Sequence, residues 1–72
     1  MTLAQLGEEY LNHEKVLRGR INELTAMMKG LRGRQMCDLS RRVAILYSMA
    51  SDSHRTGMYL LNYYKEDIIS NA

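Results

Sequence analysis

Two histidines, one cysteine and eight carboxylates are the side chains best suited to acid–base, nucleophilic or metal chemistry in this 72-residue chain. If the chain doubles back near residues 32 and 33, positions whose numbers add to about 65 to 67 lie opposite one another, which brings His13 close to His54. Glu9 precedes His13 by one turn, and Ser51 and Asp52 lie near His54, so the ligand types for a metal are within reach. The di-metal bundle pattern requires a Glu three residues before each His; Tyr10 and Ser51 stand there instead. The histidines therefore read as a polar layer that sets helix register. Cys37 has Arg34 and Arg41 nearby, surroundings that favour a thiolate, but no base stands beside it in sequence. Glu8, Glu9 and Glu14 read as a solvated face, and Gly30 and Gly33 lack the spacing and the following Lys-Ser/Thr of a phosphate loop. The expectation is a non-enzyme with no catalytic residue, cofactor or metal.

Charge is distributed more tellingly. Residues 15–42 carry Lys15, Arg18, Arg20, Lys29, Arg32, Arg34, Arg41 and Arg42 against Glu23 and Asp38, whereas Glu8, Glu9 and Glu14 precede them; the whole chain is only +2. A chain reversing at its centre becomes a rod with a basic bend and an acidic open end. Lys29, Arg32, Arg34, Arg41 and Arg42 are the candidate contacts for a polyanion or a protein partner. No aromatic residue interleaves with them, which argues against base stacking. The segment 43–50 is too apolar for a recognition helix.

The elements that position these groups are helical. Proline is absent, and Leu3, Leu6, Tyr10, His13, Leu17, Ile21, Leu24, Met28 and Leu31 follow at spacings of three and four. Helix 1 is expected over about 3–29, with Thr2 as N-cap, Glu8 and Glu9 near its positive end and Lys29 in its last turn. Gly7 and Gly19 inside it are either surface glycines or points of close approach by a second helix. The turn is expected over about 30–35, with Gly30 left-handed and Leu31 folding back. Helix 2, over about 36–69, continues the seam through Leu39, Val43, Leu46 or Tyr47, Ala50, His54, Met58, Leu61 and Ile68.

The fold class that follows is all-α: a single domain over residues 1–72, a long antiparallel helical hairpin that dimerises into a four-helix bundle. The alternative is a three-helix bundle broken near residues 51–53, where Ser51, Asp52 and Ser53 are weak helix formers. Surplus apolar surface favours a dimer. Segments 43–50 and 58–64 are apolar nearly all round, and a two-helix hairpin buries one side of each. Ile45, Met49, Tyr59, Tyr63 and Tyr64 are the expected dimer or partner interface, with Tyr59 and Tyr63 one turn apart.

A lone cysteine suits a reducing compartment. No apolar run reaches the length of a membrane span, and acidic residues stand where a secretory signal is basic. The expectation is a cytoplasmic protein without membrane contact.

The patterns Leu6-Gly7-x-x-Tyr10-Leu11, Arg41-Arg42-Val43-Ala44-Ile45-Leu46-Tyr47 and Thr56-Gly57-x-Tyr59-Leu60 with Tyr63-Tyr64 span most of the chain. In these the chain resembles small uncharacterised helical proteins encoded in prophages and conjugative elements of Gram-positive bacteria. The resemblance implies an accessory or regulatory role in a mobile element. The expected function is a non-enzymatic protein–protein interaction or assembly module acting on an unidentified protein partner. The alternative is a small nucleic-acid-binding accessory protein whose arginine-rich turn holds phosphates.

Overall fold

Thr2 starts the first helix by a reciprocal cap. Its hydroxyl accepts from the Gln5 backbone N–H at 3.1 Å, while the Gln5 side-chain oxygen accepts from the Thr2 N–H at 2.8 Å, so exposed backbone donors at the helix end are satisfied. The computed structural model describes the backbone of residues 1–71 and the side chains of residues 1–63. In it, α1 (Leu3–Met28) and α2 (Arg34–Asn71) pack antiparallel as a hairpin. Tyr64 and Ile68 lie outside the described side chains.

The connection is short. The Lys29 N–H donates to the Ala26 carbonyl at 3.4 Å and that of Leu31 to Met28 at 3.1 Å, which closes α1. The left-handed residue is Gly33, at φ 66°, and not Gly30 as expected. Gly33 reverses the chain, and its carbonyl accepts the Cys37 N–H at 3.1 Å, so α2 begins at Arg34, earlier than the spacing suggested.

The interruption considered at Ser51 to Ser53 does not occur; α2 runs through it. Ala50 is wholly buried, Gly57 is buried, and Ser51 and Ser53 are half-buried. Packing against α1 thus holds these weak helix formers in the helix.

Leu17 and Ile21 of α1 meet Ala50 of α2, with Val43 and Leu46 packed beside them. Leu24 and Leu39 continue the buried line towards the bend. At the open end the helices touch through glycine: a Cβ built on Gly7 would lie 3.0 Å from the Gly57 carbonyl oxygen, and one on Gly57 would lie 3.0 Å from that of Gly7. Gly19 has open space around it and is a surface glycine.

The result is a rod of 56 × 20 × 14 Å with a radius of gyration of 16.7 Å, where a compact 72-residue domain has about 11 Å. No large side chain among the described residues is completely buried. The accessible surface is 5781 Å², against about 4,600 Å² for a compact monomer of this mass.

Candidate interaction surfaces

Helical periodicity and the groove linings sort the exposed residues onto two flanks. Arg20 and Leu24 of α1 and Arg42, Ile45 and Leu46 of α2 line one shallow groove. Nearer the bend, Met27 and Leu31 face Asp38, Leu39 and Arg42 across a second. The same flank continues along α1 through Val16, His13 and Glu9, and along α2 through Met49, Asp52 and Tyr59 to Tyr63, at spacings of three, four or seven residues. Large apolar side chains stand in water here: Val16 is 71% exposed, Ile45 61%, Met49 46% and Tyr59 56%. Tyr59 and Tyr63 pack edge to face, ring centres 5.9 Å apart at 71°. Four of the five expected interface residues therefore follow one another along a single stripe; the side chain of Tyr64 is outside the described residues.

The other flank is mixed: exposed Tyr47 and Met58 stand there beside a polar cluster. Glu14 uses both carboxylate oxygens, one on the Arg18 Nε at 2.5 Å and one on the His54 Nδ1 at 2.8 Å across the hairpin. Arg18 also lies over the Tyr47 ring, 5.7 Å from its centre. The hydrogen bond from Arg18, followed by that to His54, holds the Glu14 carboxyl below its ordinary range, and the same bond to Glu14 raises Arg18. The polar core layer expected of His13 and His54 does not form: no polar residue among the described residues is buried, and His54 pairs instead with Glu14 on this exposed flank. His13 lies on the apolar flank beside Leu6, Glu9 and Tyr10.

At the bend, Lys29, Arg32, Arg34, Arg41 and Arg42 are all exposed, and none forms a salt bridge among the described residues. They are spread out: Arg41 and Arg42 stand about two turns along α2 from Arg34, and Arg42 faces the apolar grooves. Arg20 is engaged by Glu23 at 3.1 Å. The five cations form a dispersed basic surface rather than one concave site. Cys37 is exposed near this end. Among the described residues no three His, Cys, Asp or Glu side chains gather as metal ligands, and no helix is long and apolar enough to cross a membrane.

Two features escaped the sequence reading. Glu14 was assigned to a solvated face, although Arg18 four residues on signalled a helical ion pair. Gly57 was not paired with Gly7, although the hairpin register sets them nearly opposite. Comparison with family models, with curated proteins and with solved structures gives no match for this chain.

Proposed function

We propose that this chain is a non-enzymatic interaction or assembly module whose hairpin self-associates, coiled-coil fashion, into a four-helix bundle. The observation that carries the reading is the apolar stripe of Val16, Ile45, Met49 and Tyr59 left in water on one flank. Moving each such side chain into an interface contributes about 1.5 to 3 kcal/mol, the kind of help a 72-residue chain with so thin a core needs. Light scattering over a concentration series tests this. A mass twice the 8.3 kDa of one chain is expected, and a mass that stays at one chain across the series overturns it.

The assembled module would offer its basic bend to an unidentified protein partner in the cytoplasm, and the resemblance in sequence supports an accessory or regulatory role in a mobile element. A second reading rests on a separate observation, the absence of salt bridges at Lys29, Arg32, Arg34, Arg41 and Arg42 among the described residues. Five cations without a carboxylate partner among the described residues suit phosphate contact, and a nucleic acid would then be held by its backbone without base readout.

A further inference from the structure

We infer that the apolar flank is covered by a second copy of this chain running in the opposite direction, so that the basic bend of one hairpin lies over the acidic open end of the other. This rests on the self-association proposed above and specifies its geometry.

The area fits a second copy. The hairpin exposes 5781 Å², about 1,200 Å² more than a compact monomer of its mass, and a stable interface takes about 800 Å² from each partner. A two-fold symmetric pair reuses one patch on both copies, so a single stripe is enough to cover both.

Charge selects the direction. Two arrangements stack the hairpins flank to flank: bend on bend, or bend on open end. Bend on bend crowds Lys29, Arg32, Arg34, Arg41 and Arg42 of both copies at one end, with Asp38 as the one carboxylate in residues 29–42 to offset them. Reversing the second copy moves its bend to the end that carries Glu8 and Glu9, of which Glu9 lies on the packing flank itself beside Leu6, Tyr10 and His13.

The register follows from the stripe. Val16 and Met49 stand near the middle of the rod, so a two-fold axis at their level lays Met49 beside its own counterpart. At about 1.5 Å of rise per residue, Arg42 stands about 10 Å from that level on one side and Tyr59 about 15 Å on the other. In the reversed pair Arg42 of one copy comes opposite Thr56 of the other, about 5 Å short of Tyr59, a gap its long side chain spans to bring the guanidinium to the exposed Tyr59 ring, a cation–π contact. The stripe is complementary to its own reverse.

Cys37, the single cysteine and exposed, allows a test on the unaltered chain. A nitroxide is attached to it, and the distance between labels in the pair is measured by pulsed electron paramagnetic resonance, with the mass of the labelled protein taken in parallel. The reversed pair places the labels near opposite ends, about 40 Å apart from the helical rise. A label distance below about 25 Å in a sample of dimer mass means bend on bend, by the same rise, and overturns the inference while leaving self-association intact. A monomer mass overturns both. Met49→Cys in a Cys37→Ser background supplies a second readout: oxidation should link it to itself in the reversed pair, and a dimer that does not link overturns the register.

Discussion

Gly7 and Gly57 face each other across the hairpin so closely that a methyl group on either would come within 3.0 Å of the other's carbonyl oxygen. The Gly7 methyl would also lie 3.1 Å from Leu61 Cγ and 3.2 Å from Leu60 Cβ, and the Gly57 methyl 2.9 Å from Leu11 Cδ2. Alanine is intrinsically better than glycine in a helix by about 1 kcal/mol. Here the helices must part to admit it, and overpacking of this kind costs about 1 to 3 kcal/mol. Gly7→Ala and Gly57→Ala are each expected to lower stability, measured by urea unfolding.

Gly19→Ala is the control of opposite sign. Nothing lies within 4 Å of a Cβ at that position, so the helix-propensity gain of about 1 kcal/mol should be realised in full. An equal gain at all three glycines would mean the close contact is absent in solution.

Gly33→Ala separates conformation from space. No atom obstructs its Cβ, but its φ of 66° is left-handed, which costs a non-glycine residue about 1 to 2 kcal/mol. The expected result is lower stability with unchanged helix content by circular dichroism.

The Glu14 carboxyl is held below its ordinary value by Arg18 and then by His54. A depressed carboxyl contributes stability above its unfolded pKa and loses it as the pH falls through the folded value. The contribution of Glu14 should therefore be complete at neutral pH and vanish on the acid side of the usual carboxylate range. Glu14→Gln removes that part of the acid limb; chemical unfolding between pH 7 and pH 2 should show a shallower decline for the variant than for the parent.

The two functional readings part on different variants. Ile45→Asp places a charge in the proposed interface and is expected to leave a monomer, or an unfolded chain, by light scattering; parental mass and melting would refute the interface. Replacing Arg32, Arg34, Arg41 and Arg42 by Glu should leave folding largely intact, since none pairs with a described carboxylate. If the bend holds phosphates, the parent binds arbitrary DNA or RNA at low salt, loses it steeply as salt rises, and the variant does not bind. Absence of binding by the parent at low salt removes that reading.

The hairpin was legible in the sequence because its signal is periodic: apolar residues at threes and fours on both sides of a glycine-containing bend define two helices and their facing seams. Details that depend on contact between distant residues were not. Gly33 rather than Gly30 takes the left-handed turn, since Leu31 N–H bonding to Met28 closes α1 first. Ser51 to Ser53 look like a break until Ala50 and Gly57 are seen pressed against α1. The candidate interface was traceable because Ile45, Met49, Tyr59 and Tyr63 repeat at helical spacing just off the seam. The cross-helix partner of His54 was misplaced by a single residue, which on a helix swings a side chain about 100° to the other flank.

One short bend joins the helices, so the loop closed by each cross-helix contact grows steadily with distance from Gly33. Contacts beside the bend carry the smallest entropic cost, and each one formed shortens the effective loop for the next. The hairpin is in this respect a zipper with its slider parked at residues 29–33. The glycine pair at Gly7 and Gly57 sits at the far teeth, the last to mesh and the first to part, and it is there that amide hydrogens of the two helices should exchange soonest.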